Sequence, residues 1–286
     1  MHDLNGVLIG WPNRAPAAVL SGGSWVAQLP LANLTRREPW LVARSTGLAG
    51  VATQFDADLG RLRNLRAFAL GNHNLSLAAR WRLQLGTAQG LADVYDSAWQ
   101  AVWAMTFDGD LLEWESVSFW EGAVDDPAAY QGYPYAALHV LPDWANARWL
   151  RVLIDDAANP DGYVQLGQLF AGGGFQPRWS ASYGLSDQWT DPSLLTASES
   201  NYMFGDVRRR RRSVKFSTEF LSATEGAIAH ELQRRQGVWG QVLWVPYPDD
   251  QQQSQRYGYI GRMRELSPLE YPLFDTRSVA FAIDEI

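Results

Sequence analysis

Apolar and polar residues alternate with a period of two along most of this chain. A side chain that changes face at every step can be half-buried only on a β-strand. Arg80-Trp81-Arg82-Leu83-Gln84-Leu85 is the clearest case, with Trp81, Leu83 and Leu85 on one face and Arg80, Arg82 and Gln84 on the other. Leu65 to Leu70, closed by Gly71-Asn72, and Trp149 to Ile154 read as further strands. Asp155-Asp156-Ala157-Ala158-Asn159-Pro160-Asp161-Gly162 concentrates turn-forming residues, so Tyr163 to Phe170 is expected to return as the hairpin partner of 149–154. The run Gly172-Gly173-Gly174 has little structure of its own and suits a junction between domains.

Beyond that junction, Trp179 to Tyr183 reads as a strand and Ser186 to Ser200 as a polar loop. Five consecutive arginines, Arg208 to Arg212, lead into a strand ending at Leu221. One helix is expected. Ser222-Ala223-Thr224-Glu225 fits a capping box, Ala227, Ile228 and Leu232 form an apolar stripe, and Gly237 is a stop. Val242 to Val245 and Tyr257 to Gly261 are strands across a polar turn, Pro248 to Gln253, and Ser278 to Ile283 is the last strand. The expected class is all-β in the main: a β-sandwich over 1–175, whose residues 1–20 form an N-terminal arm, and a smaller β domain with one helix over 176–286.

Composition narrows the function. The formal net charge of -7 opposes general nucleic-acid binding, which needs a positive field to displace phosphate counterions. Lys215 is the only lysine, so the cationic chemistry is that of arginine, the better residue for bidentate pairs at interfaces. There is no cysteine, hence no disulfide, thiolate metal site or cysteine nucleophile, as suits folding in a reducing cytoplasm. The start lacks a signal-peptide pattern, and no run approaches the roughly 20 apolar residues that cross a bilayer, so no membrane partner is expected.

No catalytic, cofactor or metal site is expected. His2, His73, His139 and His230 show no zinc-ligand spacing, and His73 between two asparagines reads as a turn residue. Nucleophile-elbow and phosphate-loop motifs are missing. Glu113-Trp114-Glu115, with Glu121, Asp125 and Asp126 nearby, has the carboxylates a glycosidase needs, but such clusters are common on solvated strands. Asp155, Asp156, Asn159 and Asp161 carry the oxygens calcium would use, yet a tight turn asks for the same residues. The arginine run, at Arg208, Arg210 and Arg212, is the candidate subunit interface.

Phe55-Asp56-Ala57-Asp58-Leu59-Gly60 before the strand Leu65–Leu70, with Ala147 to Val152 and Gly162 to Phe170, resembles discoidin-like (galactose-binding-like) jelly-roll domains. Ser21-Gly22-Gly23-Ser24-Trp25, Leu29 to Leu34, Gly71 to Ser76 and Tyr95-Asp96-Ser97 resemble tailed-phage structural proteins carrying such a domain. Residues 176–286 are similar, more loosely, to the ring-forming domains of distal tail proteins. The resemblance implies a non-enzymatic component of a phage tail tip or baseplate, assembled in the host cytoplasm and resident in the virion. It implies a homo-oligomeric ring of three or six copies contacting tail tube, hub, tape measure and fibres. The alternative is a carbohydrate-binding adhesin that meets host surface glycan with Trp99, Trp103, Trp114 and Trp120 as stacking platforms.

Overall fold

The computed structural model describes residues 6–103, 114–115, 136–200 and 202–286. They form two compact units, Met1–Gln176 with Gln241–Ile260, and Pro177–Gly240 with Gly261–Ile286. Both are antiparallel β structures, as the alternation requires. Among the described residues no helix is long and apolar enough to cross a membrane.

The main segment of the first unit carries β1 (Leu8–Gly10), β2 (Val19–Ser21), β3 (Ala43–Arg44), β4 (Phe55–Gly71) and β5 (Arg80–Gly86). It continues with β6 (Tyr95–Asp96), β7 (Gln100–Ala101), β8 (Ala136–Asp155), β9 (Gln165–Leu166) and β10 (Gln168–Gly172). The principal sheet runs β10-β4-β8-β5-β6, with β2 added on β4 and β7 on β5, and β3 pairs with β9. The β4–β8 ladder extends from Phe55↔Val152 to Gly71↔Ala136, with register shifts at Asp58/Arg63 and Leu65/Ala67. Such irregularities bend a strand and raise its twist, so two long strands curl the sheet over its core in jelly-roll fashion. Phe55, Phe68, Leu70, Trp81, Leu83, Leu85, Leu150, Val152 and Ile154 fill that core.

Strands 149–154 and 165–172 do not form a hairpin with each other. β8 and β10 instead flank β4 on opposite sides, with Leu169 opposite Leu70 and Leu150 opposite Ala57. Within the expected N-terminal arm, residues 8–10 are not loose either. Leu8, Ile9 and Gly10 pair with Val245, Trp244 and Leu243 of β15 (Gln241–Val245), and Leu8 and Ile9 are buried. A Cβ on Gly10 would stand 2.8 Å from that of Leu243, so only glycine allows the approach. The Gly172–Gly174 run is likewise packed. Cβ atoms there would meet the Pro12 carbonyl at 2.6 Å and Leu8 Cδ1 at 2.5 Å.

Segment 241–260 belongs to the first unit and not to the second, contrary to the sequence-based division. Its polar stretch is a helix, Gln251–Tyr257, begun where the Asp250 carboxylate accepts the Gln253 N–H at 3.1 Å. The helix glutamines serve the outer edge of β8, where Gln255 Oε1 accepts the Leu138 N–H at 3.1 Å.

The second unit holds β11 (Ser186–Thr190), β12 (Leu194–Ala197), β13 (Met203–Asp206), β14 (Arg211–Leu221) and α1 (Ala223–Gln236). After the excursion through 241–260 the chain re-enters it within β16 (Tyr259–Met263), followed by β17 (Glu270–Leu273) and β18 (Thr276–Glu285). The strand order is β16-β18-β14-β11, with β17 also on β18 and a separate β12–β13 hairpin. The expected strand at Trp179–Tyr183 is not formed, and strands β11 and β12 occupy the stretch expected to be loop. The polar composition of 186–200 hid them, because these strands are exposed on both faces and need no alternation.

The helix begins with the expected capping box between Ser222 and Glu225. Its buried face is Gly226, Ala229, Leu232 and Gln233, and Ala227 and Ile228 of the expected stripe are exposed. Gly226 decides this rotation. A Cβ there would lie 2.9 Å from Arg277 Cγ, so the helix lies close to β18 along its smallest side chains.

Candidate functional site

Strands β4, β8, β5 and β6 put their apolar residues inside and their polar residues on one outer face. The register aligns Asp56 with Arg151, Arg151 with Gln84 and Gln84 with Asp96, which makes a polar row across four strands. Arg151 donates to both Asp56 oxygens at 2.7 and 3.0 Å, and Arg148 to both Asp58 oxygens at 2.8 and 2.7 Å. Asp96 takes Arg82 Nε at 2.7 Å and the Gln84 amide at 2.8 Å. The Arg82 guanidinium, followed by the Gln84 amide, holds the Asp96 carboxyl far below the usual carboxylate range. Burial pushes Asp56 up, but the Arg151 and Gln89 bonds reverse that and leave it lowered.

Trp99 stands beside this face. It follows Ala98, which has a positive φ of 56°, and precedes β7, whose Ala101 pairs with Arg80. The indole is 43% exposed, and the Arg80 guanidinium lies 5.9 Å from its ring centre. Arg80 is held by Asp155 at 2.5 Å. An exposed aromatic plate beside a fixed cation–carboxylate pair offers stacking to an apolar ring face and bidentate hydrogen bonds to neighbouring hydroxyls.

Of the other tryptophans expected to share this role, Trp103 does not join Trp99. Trp103 is half-buried, its Nε1 donates to the Leu75 carbonyl at 3.1 Å, and its ring meets His73 edge-on at 5.4 Å. These contacts make it a packing residue and remove it as a platform. Trp114 lies exposed in a turn with Glu115, whose φ is 65°. Trp120, Glu113, Glu121, Asp125 and Asp126 fall outside the described residues. The Arg80–Asp155 pair was missed in the sequence, although the two residues close the polar faces of strands that each alternate cleanly.

The loop 155–162 is a braced turn. Asp156 is buried and accepts from the Ser76 N–H at 3.0 Å, the Ser76 hydroxyl, and the Asn159 amide at 2.7 Å. Asp161 accepts from the Asn74 amide at 2.8 Å, and Asp155 is engaged by Arg80. The carboxylates point at donors of the chain and not at a common centre. Among the described residues there is no cluster able to hold a metal ion.

Among the described residues, His73 and His139 are buried. Burial lowers His73 to about 3, and its Nδ1 accepts the Leu75 N–H at 3.3 Å. Burial also lowers His139 to about 4, with Nε2 sharing a hydrogen bond with the Tyr95 hydroxyl at 3.0 Å. Both are neutral packing groups near pH 7.

Four arginines of the run form ion pairs with three carboxylates of their own unit. Arg208 pairs with Asp206 at 2.8 Å and Arg210 with Asp191 at 3.3 Å, both exposed. Arg212 is buried to 3% exposure beside the equally buried Glu285, whose Oε2 also accepts the Arg212 N–H at 3.0 Å. Arg212 is therefore an internal residue and not the interface anchor expected, because a buried carboxylate required a cation there.

No protein-family model matches the chain, and no curated protein matches its sequence. Solved structures with similar backbone include the lectin domain of lectinolysin complexed with Lewis B antigen, 15% identical, over 57% of this chain and 98% of that one, with a TM-score of 0.37. A fucose binding module of Streptococcus pneumoniae is 10% identical over 60% of this chain and 98% of the module, with a TM-score of 0.36. A CBM32 domain from a family 31 glycoside hydrolase of Clostridium perfringens is 7% identical over 54% and 93%, with a TM-score of 0.34. By their descriptions these structural neighbours are carbohydrate-binding modules or parts of glycoside hydrolases.

Proposed function

We propose that the protein is a non-enzymatic binding subunit whose first unit contacts saccharide at Trp99. The observation that carries this reading is the half-exposed indole set beside the Arg80–Asp155 pair. A pyranose presents one apolar face and a rim of hydroxyls, and this arrangement supplies a partner for each. Glycan-array screening of the full chain, followed by calorimetric titration of any hit, tests it. Saturable binding that Trp99→Ala abolishes, without turnover of the glycan, is the expected result. Absence of binding to any glycan, or binding indifferent to Trp99→Ala, would overturn it.

A second reading, structural membership of a phage tail tip, is favoured by the apolar side chains that the second unit leaves exposed on β12, β13 and the β17–β18 turn. In this reading the unit is covered by other protein in a virion assembly, and its neighbours are tube, hub, tape measure or fibre subunits. Antibody labelling of purified virions tests it, with label confined to tail ends as the expected outcome.

A further inference from the structure

In the second unit the β11–β14 pair continues outward as a two-stranded ribbon. β11 follows β14 from Ser186↔Lys215 to Thr190↔Arg211, and β12 follows β13 from Leu194↔Asp206 to Ala197↔Met203. Between the two ladders Ser193 Oγ accepts the Arg208 N–H at 2.9 Å. On its other side β14 meets β18 only from Ser213 onward. Among the described residues, the outer part of the ribbon therefore has no third strand beside it.

The ribbon changes character along its length. Every residue of β12 and β13 is exposed. Leu194, Leu195, Tyr202, Met203, Phe204 and Val207 all face solvent, Phe204 at 60% and Val207 at 86% exposure. A two-stranded hairpin without a packed face is marginal in water, and clustered exposed apolar side chains mark a contact surface. Behind this hairpin stand four exposed arginines, Arg208 to Arg211. Asp206 and Asp191 pair with Arg208 and Arg210, while the buried Glu285 is shared between Arg209 and the internal Arg212. Among the described residues Arg211 forms no ion pair. Residues 186–215 hold six basic side chains to four acidic ones, although the whole chain has a net charge of -7. Positive charge is thus concentrated on the stem of an apolar hairpin.

We infer that this ribbon binds the surface of an anionic lipid bilayer. The hairpin side chains enter the boundary between headgroups and acyl chains, and the arginines meet lipid phosphates and carboxylates. A nucleic acid would use the guanidiniums but leave Leu194, Leu195, Met203 and Val207 in water. An anionic bilayer surface offers both an apolar layer and negative charge, the pairing that holds interfacial segments in place. The depth is limited by two features. The turn is polar, with the Ser198 and Ser200 hydroxyls bonded at 2.9 Å and Glu199 between them. The outer edges of a lone hairpin also carry backbone groups that hydrocarbon cannot satisfy. The hairpin therefore lies along the surface and does not span, so no membrane-crossing segment is required. This contact leaves Trp99 to the saccharide reading and the β17–β18 turn to the assembly reading.

The test is co-sedimentation of the full-length protein with vesicles of phosphatidylcholine and phosphatidylserine in about a 7:3 ratio, beside vesicles of phosphatidylcholine alone. Binding is expected to the mixed vesicles, to be much weaker to the neutral ones, and to fall as salt is added. Phe204→Glu and Leu195→Glu should each weaken it about tenfold or more, and Arg211→Gln about fivefold. Circular dichroism verifies that each variant folds. Soluble glycerophosphoserine should not displace the vesicles, and displacement would reveal a headgroup pocket and overturn the inference. Failure to bind the mixed vesicles overturns it, as does equal binding to neutral ones. Hairpin variants that bind as well as wild type overturn it too. So does binding of a single-stranded oligonucleotide in place of vesicles, which would assign the arginines to nucleic acid. Glycan arrays and antibody labelling of virions read neither result, so those readings and this one fail separately.

Discussion

Gln255 completes the hydrogen bonding of Leu138: its side-chain oxygen accepts the Leu138 N–H at 3.1 Å, while its amide donates to the Ala136 carbonyl. Gln251 supplies the Leu138 carbonyl in the same way. The N-terminal half of β8 pairs with β4 on one side, whereas its ladder with β5 covers only 149–155. Among the described residues no strand pairs with this edge, and glutamine side chains take it instead, the means by which 241–260 is bound into the first unit.

Gln255→Ala should therefore destabilise the protein by about 1–3 kcal/mol, because two buried backbone groups lose their partners. Urea unfolding followed by tryptophan fluorescence measures it. A loss below a few tenths of a kcal/mol would mean that water replaces the amide.

Asp156 braces the 155–162 turn through the Ser76 and Asn159 donors. Asp156→Ala should cost about 1–3 kcal/mol through the stranded Ser76 and Asn159 donors. Neither calcium nor a chelator should move the wild-type melting temperature. A calcium-dependent rise would refute the brace.

Acid should weaken the fold through His73 and His139. Their native values, about 3 and about 4, lie below the roughly 6.5 of an unfolded histidine. Between those limits the unfolded chain binds protons that the native state refuses, so stability falls as pH drops below about 6.5. The His139 contribution should reach about 2 kcal/mol at about pH 5. His139→Gln should flatten the stability–pH curve over this range, and an unchanged curve would exclude His139 as the cause.

Arg212 and Glu285 should behave as a buried pair. Arg212→Leu leaves the Glu285 carboxylate buried with only the exposed Arg209 beside it and should cost about 3–5 kcal/mol. The double replacement Arg212→Leu with Glu285→Leu should recover much of that loss. Thermal unfolding of the three proteins decides the matter, and an undamaged single variant would show that the pair is dispensable.

What the sequence determined by itself is local. The facing of Arg80 to Leu85 follows from the geometry of one strand, and the Ser222–Glu225 cap from four consecutive residues, so both were legible without a fold. The exposed hairpin at 194–206 was not, since strands without a buried face leave no periodic signal. Only the tertiary structure decided that β8 and β10 flank β4, that Gln255 belongs to β8, that Trp103 packs while Trp99 projects, and that Arg212 is internal. Each of these depends on a partner far away in the chain, such as Glu285 for Arg212 or Ala136 for Gln255. Hydrogen bonds and buried charges are satisfied across space, and alternation along a strand cannot say which distant group will meet it.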